Sequence, residues 1–225
     1  MDFYDTHAHI IENQKGGLII ALEGEPVYDN VYDNSEVHVI CKNTAFLPVE
    51  YVGKSFHPTT TKIIKYHPRR EGYSKDEIIS DIKKREAKIV IIDTLYNPYF
   101  HYSDYWEIIR SAKEKFFILP HCGGYDIEDF IKIVDFNTNV YTDFSLTQEY
   151  LGVVTGAPYP KIQETMEYML GNKKMNTRIL FGSDNPFYSQ QYALEYYKSK
   201  NMIELLNNNF ENLLHQANLQ TGFIP

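Results

Sequence analysis

Residues 62–93 read KIIKYHPRREGYSKDEIISDIKKREAKIVIID, and this stretch decides the fold. It begins with a short β-branched run, Lys62 to Tyr66, that ends at Pro68. Ser74 is followed three residues later by Glu77, the pattern of a capping box, so a helix starts there and runs through SKDEIISDIKKREA. Lys88 to Ile92 is then a continuous apolar strand of the kind buried on both faces of a parallel sheet.

The alternation continues toward the C-terminus. A helix through 103–115 precedes a strand at Phe116 to Leu119. A helix at 126–134 precedes a strand at Asn139 to Asp143, and a helix from about Lys161 to Leu170 precedes a strand at Arg178 to Phe181. The segments 188–200 and 207–219 read as closing helices. Toward the N-terminus we expect strands at Asp2 to Thr6, Leu18 to Leu22 and Val37 to Cys41, with an irregular Pro-, Asp- and Asn-rich loop at 24–36. The segment 46–61 is ambiguous, and Pro48 and Pro58 argue against a regular helix there. Alternating strands and helices imply a parallel sheet, and about eight strands close a (β/α)8 barrel. The expectation is an α/β fold, a distorted TIM barrel that is helix-poor in its first half, formed as one domain over 1–225.

Composition narrows the function classes. With 225 residues, 43% hydrophobic and 23% charged, the chain can build one sizeable core. A net charge of -8 argues against nucleic-acid binding through a broad basic surface. Cys41 and Cys122 are too few for a disulfide framework, and the N-terminus lacks a basic segment followed by an apolar one. We therefore expect a cytoplasmic protein with a small-molecule substrate and no membrane partner. Its 19 Tyr and 13 Phe supply aromatic surfaces that permit a homodimer.

In such a barrel the chemistry gathers at the carboxyl ends of the strands. His7 and His9 follow strand one in the reading above, His67 ends strand four, Asp93 strand five, His121 strand six and Asp143 strand seven, and Asp184 follows strand eight. Residues i and i+2 on a strand share a face, so His7 and His9 can converge on one metal ion; two polar residues in a loop is the alternative reading. His121 precedes two glycines that free the backbone to turn. Lys65, His67, Arg69 and Arg70 could cradle a carboxylate or phosphate, or the arginines could be a solvated charge run. Asp143 could orient a catalytic group or cap a helix. Cys122 reads as a packing residue, and His38, His57, His101 and His215 have no supporting pattern.

The ordered set DTHAH, KIIKYHPRREGYSKDE, FFILPHCGG, NVYTDFS and ILFGSDNPF, with LLNNNFENLLH near the end, resembles the amidohydrolase superfamily. It is most similar to the branch of small metal-dependent hydrolases and aminocarboxymuconate-semialdehyde decarboxylases. The resemblance covers nearly the whole chain and is weakest from about residue 11 to 60. It implies one divalent metal, commonly zinc, with His7, His9 and Asp184 as ligands and Asp184 handling the proton of an activated water. It further implies that His121 is a ligand or polarises the substrate. One position departs: where the family usually has a histidine ligand on strand five, this chain has Asp93. A carboxylate can substitute as ligand and would favour harder ions such as manganese or magnesium; otherwise that ligand is lost. The expected activity is hydrolysis of a small amide or ester. The alternatives are nonhydrolytic decarboxylation at the same metal, a metal-dependent phosphoesterase, and an inactive barrel used for binding.

Overall fold

The structure, a computed structural model, describes residues 2–24, 30–95, 97, 100–145 and 160–221. Seven parallel strands form one sheet in sequential order: β1 Tyr4–Ala8, β2 Gly16–Ile20, β3 Phe46–Tyr51, β4 Ile63–Tyr66, β5 Ile89–Ile92, β6 Phe116–Leu119 and β7 Val140–Thr142. The eighth position is held by the extended segment 179–185. Its Leu180 N–H donates to Thr142 O on the β7 side. On the β1 side, Thr6 N–H donates to Phe181 O, Asp184 N–H to His7 O and His9 N–H to Asn185 O. These bonds join β7 back to β1, which is how a sheet loses its edges and becomes a barrel.

The central unit forms as its sequence dictates. The Ser74 hydroxyl accepts from Glu77 N–H at 3.2 Å, while Ser74 N–H donates to Glu77 Oε2 at 2.7 Å. That capping box starts the helix Lys75–Lys84, which lays Ile78 and Ile82 on the sheet. The other helices are α1 Asn34–Ile40, α2 Pro68–Glu71, α4 Tyr102–Ser111, α5 Ile127–Phe136, α6 Pro160–Gly171, α7 Gln190–Ser199 and α8 Ile203–Gln216, with Lys75–Lys84 counted as α3. Among the described residues only the short α1 lies between the first four strands, so the first half is helix-poor as expected.

The sequence reading needs three corrections. Val37 to Cys41 is not a strand: it lies in and just after α1, where Asp33 accepts from Ser35 and Glu36 N–H and completes a capping box with Glu36. The third strand is instead the ambiguous segment, Phe46–Tyr51. Pro48 is tolerated there because β3 pairs with β2 at Pro48, whereas β4 joins only from Glu50 onward. Second, β1 and β2 are each displaced by two residues, β2 toward the N-terminus and β1 toward the C-terminus, so His7 lies inside β1 and His9 just past it. Third, Arg178 belongs to a 3-10 turn, Asn176–Arg178, and the eighth segment begins after it.

Period-2 alternation sorts the core into an inner and an outer layer. Ile64, Tyr66, Val90, Ile92, Phe117 and Leu119 pack outward among the helices. Leu18, Ile20, Ile63, Ile89, Ile91, Ile118 and Leu180 face inward and meet Phe210 and Leu213 of α8, which closes the barrel floor. Continuing inward along the same faces, Ile63 is followed by Lys65 and His67, and Ile91 by Asp93. The barrel interior is thus apolar at its floor and polar at the carboxyl ends of its strands. No helix among the described residues is long and apolar enough to cross a membrane.

Candidate functional site

The carboxyl ends of the strands bring the predicted polar residues together. His7 Nε2 lies 3.1 Å, and His9 Nε2 3.3 Å, from the same atom, Asp184 Oδ1. The backbone presents Asp184 in a left-handed conformation, φ 61°, which aspartate adopts more readily than most residues. His9 is oriented from behind, its Nδ1 2.8 Å from Ile20 O. A carbonyl only accepts, so His9 Nδ1 carries the proton and Nε2 presents a lone pair to Asp184. Burial lowers the His9 pKa to about 4 even against the pull of Asp184. Burial raises the Asp184 carboxyl, yet His7, His9 and His121 outweigh it and hold it below the ordinary carboxylate range.

A neutral ring nitrogen and a carboxylate oxygen therefore face each other with no proton between them, an arrangement that calls for a cation. Zinc with arms of about 2.0–2.1 Å has tetrahedral edges of about 3.3–3.4 Å between ligand atoms, against the 3.1 and 3.3 Å found here. The residues present fit a divalent metal, with His7, His9 and Asp184 as its ligand set.

Asp93 sits on the other side of the cavity. Its Oδ2 is 3.3 Å from His121 Nε2, 3.5 Å from His67 Nε2 and 4.0 Å from Lys65 Nζ. Burial works against its ionisation, but His67, His121 and Lys65 hold the carboxyl well below its usual value. Asp93 belongs to neither of the two His and Asp groups that are close enough among the described residues to share one ion. Burial alone would lower the pKa of His121, but Asp93 raises it to about 9, so this ring is cationic at neutral pH. Burial takes His67 down to about 4 in spite of Asp93, and its Nδ1 has no hydrogen-bond partner among the described residues. Lys65, only 2% exposed, places Nζ 3.1 Å from His7 Nε2.

The second His and Asp group, His7, His121 and Asp143, is a hydrogen-bond hub. The Ser145 hydroxyl lies among them, 2.9 Å from His7 Nδ1 and 3.1 Å from His121 Nδ1, and donates to Asp143 Oδ1. Asp143 Oδ1 also accepts from the N–H groups of His121 and Ser145, at 3.1 and 2.9 Å. Burial opposes it, but His7, His121 and Ser145 lower the Asp143 pKa to about 2. Sequence reading left Asp143 open between orienting and capping, and it missed Ser145 altogether; a serine two residues past a strand-end aspartate carries no pattern of its own.

Two glycines make these approaches possible. A Cβ on Gly182 would lie 2.7 Å from Asp143 Cγ and 2.8 Å from His7 Cβ. Gly123, at φ 79°, continues the left-handed run begun by His121 and Cys122, and a Cβ there would fall 2.2 Å from the Phe130 ring. The run turns His121 into the cavity. Cys122 points away, fully buried, its thiol pushed up to about 12 by burial, which leaves it a packing residue.

A further carboxylate, Asp5, ties the first strand to the closing segment. It accepts from Ser183 N–H at 3.2 Å, Ser183 Oγ at 2.6 Å and Gln190 Nε2 at 2.9 Å. The cavity itself measures about 230 Å³ and is walled by His9, Lys65, His67, Asp93, His121 and Asp184, with Arg69, Arg70, Leu22, Leu95, Phe187 and Tyr188 at its mouth. Arg69 and Arg70 also line an adjoining cleft of about 740 Å³. All the predicted site residues except His7 thus border one cavity, and His7 lies behind its wall, with Nε2 3.1 Å from Asp184 Oδ1 and from Lys65 Nζ. Residues 25–29 of the loop at 24–36, and residues 96, 98 and 99 beyond β5, lie outside the described residues.

No family model and no curated protein matches the chain. Among solved structures, an uncharacterized TIM-barrel protein from Bordetella bronchiseptica is similar over 91% of this chain and 79% of its own, with a TM-score of 0.65 at 15% identity. An amidohydrolase 2 from Bifidobacterium longum subsp. infantis is similar over 98% of this chain and 100% of its own, with a TM-score of 0.61 at 14% identity. The chain therefore has the TIM-barrel fold, and an amidohydrolase is among the proteins that share it.

Proposed function

We propose that the chain is a metal-dependent hydrolase acting on a small amide or ester that carries an anionic group. The observation that carries this reading is the meeting of His7 Nε2 and His9 Nε2 on one oxygen of Asp184 at the carboxyl end of the barrel. His7, His9 and Asp184 would hold the ion. Zinc suits the two imidazoles best, and manganese or magnesium would be drawn by the carboxylates. When bound, such an ion supplies Lewis acidity that brings the pKa of an adjacent water from 15.7 down to about 7.

The chain's own residues supply the rest. Both imidazoles meet Asp184 Oδ1, which leaves Oδ2 to take a proton from the attacking water and return it to the leaving group. His121, kept protonated by Asp93, sets a positive charge in the cavity wall that stabilises the oxyanion developing on the substrate. Lys65 on the cavity wall and Arg69 and Arg70 at its mouth give the substrate's carboxylate or phosphate a cationic seat, and the neutral His67 ring adds a hydrogen-bonding group beside them. The same cations favour decarboxylation as the second reading, because that reaction also needs a carboxylate held beside the metal.

The test is metal content and turnover. Chelator-treated protein should take up one equivalent of zinc or manganese, gain thermal stability on doing so, and hydrolyse carboxylated anilides or aryl esters only when loaded. The His7→Ala, His9→Ala double variant should lose both uptake and turnover. A wild-type protein that binds neither ion and gains no stability from either would sink the proposal and leave a barrel used for binding alone.

A further inference from the structure

The Ser145 hydroxyl has one proton to give and lone pairs to receive. Its contact with Asp143 Oδ1 fixes the direction of that proton, because a carboxylate offers only acceptors. Toward the two imidazoles the hydroxyl can then only accept. His7 Nδ1 at 2.9 Å and His121 Nδ1 at 3.1 Å must both carry their protons on that side. Other neighbours agree: His121 Nδ1 also faces Ser145 O at 3.0 Å, and His7 Nδ1 faces Asp143 Oδ2 at 3.4 Å, both acceptors. With Nδ1 protonated, a neutral His7 ring turns its Nε2 lone pair toward Lys65 Nζ at 3.1 Å, on the atom that also lies 3.1 Å from Asp184 Oδ1. The rings of His7 and His121 are 4.9 Å apart, so one hydroxyl reaches both.

We propose that Ser145, aimed by Asp143, is a positioning residue that orients His7 and His121 through their Nδ1–H groups and holds His7 in the Nδ1-protonated tautomer, so that the Nε2 lone pair facing Asp184 and Lys65 is the one offered as a ligand. The assignment rests on the metal-dependent reading for its purpose and on the hydrogen-bond geometry alone for the tautomer. It places a pair just beyond β7 in control of a ligand on β1, across the junction that the 179–185 segment closes. Asp143 and Ser145 touch neither Asp184 nor the ion's place directly; they act through the rings.

The experiment separates the two readings. Ring ¹⁵N chemical shifts and long-range couplings, measured on metal-free protein with labelled histidine, report which nitrogen of His7 holds the proton. Zinc titration of the same samples reports affinity. In the wild type and in Ser145→Thr, which keeps a hydroxyl, His7 should show the Nδ1–H signature. In Ser145→Ala the signature should shift toward Nε2–H, and zinc affinity should fall by about 10–100-fold, the ordinary cost of losing an orienting partner. Asp143→Asn is the second variant. It keeps an acceptor for the His121 and Ser145 N–H groups but sets an amide N–H opposite His7 Nδ1, so His7 should switch tautomer there too.

If Ser145→Ala and Asp143→Asn both keep the Nδ1–H signature, the positioning role is overturned even if the wild type binds zinc. If the signature shifts while the wild type binds no metal, the positioning role stands and the hydrolase reading fails. Loss of zinc affinity in Ser145→Ala without recovery in Ser145→Thr, and with no change of tautomer, marks a merely structural residue and also overturns it.

Discussion

Replacing Gly182 by alanine adds one methyl group between Asp143 and His7, and the consequences follow from three distances. The new Cβ would lie 2.7 Å from Asp143 Cγ, 2.8 Å from Asp143 Oδ2 and 2.8 Å from His7 Cβ. Carbon atoms in contact prefer about 3.5–4.0 Å, so Asp143 and His7 must each yield by the better part of an ångström. Neither can do so cheaply. Asp143 is bonded to the backbone of His121 and Ser145, and His7 lies within β1 and bridges Ser145 and Asp184. The backbone at Gly182 is not left-handed, so the cost is steric alone. Overpacking of this kind costs about 1–3 kcal/mol. A shift of His7 also pulls Nε2 off its line to Asp184, and we expect zinc affinity to fall by about 10–100-fold, as when an orienting partner is lost. Urea denaturation of the metal-free protein measures the first effect, and zinc titration by calorimetry the second. A variant with an unchanged unfolding midpoint and zinc affinity within twofold of wild type would refute the reasoning, because the closing segment would then not press on His7 and Asp143.

Other outcomes are expected from the same geometry. His121 has a folded-state pKa of about 9 against about 6.5 unfolded. The stability this adds to the metal-free protein is fully present below pH 6.5 and is lost as pH rises through 9. The difference of some 2.5 units corresponds to roughly 3 kcal/mol, and urea midpoints from pH 6 to 9.5 should lose this slope in His121→Gln. Asp33→Ala removes the side chain that caps α1 and should lower stability by about 1 kcal/mol in thermal denaturation, with zinc affinity unchanged. Arg69→Met with Arg70→Met should raise KM for a carboxylated substrate at least tenfold while leaving kcat within a few fold. An equal KM for neutral and anionic esters in the wild type would count against the cationic seat.

The sequence was most legible where local and tertiary signals agree. Ser74 and Glu77 marked a helix start, and the run Ile89–Ile92 could only be a strand buried on both faces. It misled at Val37 to Cys41, where a β-branched alternation sits over a helical pattern. Val37 and Cys41 are four apart and both buried, so the helix also satisfies the core, and the Asp33 cap tips the balance. Pro48 hid β3 because its tolerance depends on where the neighbouring strand begins, a fact of register rather than of residue type. In the site, residues that meet through strand ends could be foreseen from barrel geometry. Ser145 could not, because its importance arises from two rings contributed by strands far away in the chain.

Asp93 stands where the pattern the sequence resembles usually has a histidine, and its surroundings are those of a carboxylate. Among the described residues three histidine and lysine nitrogens lie within 4.0 Å of Oδ2: His121 Nε2, His67 Nε2 and Lys65 Nζ. A histidine in this place would face three nitrogen groups, one of them an ammonium, with nothing to balance them. Aspartate and its three neighbours form a consistent set, a charge clamp on His121 and Lys65. Asp93→Asn decides between clamp and ligand. As a clamp, its loss leaves zinc affinity reduced by no more than about 100-fold. Burial then prevails at His121, whose pKa falls, so the alkaline limb of the kcat/KM profile moves to lower pH. As a ligand, its loss abolishes metal uptake outright, and the activity that remains on adding excess zinc keeps the wild-type pH profile. Metal titration and a pH–rate profile on the one variant distinguish the two, and loss of uptake with an unmoved alkaline limb would overturn the clamp.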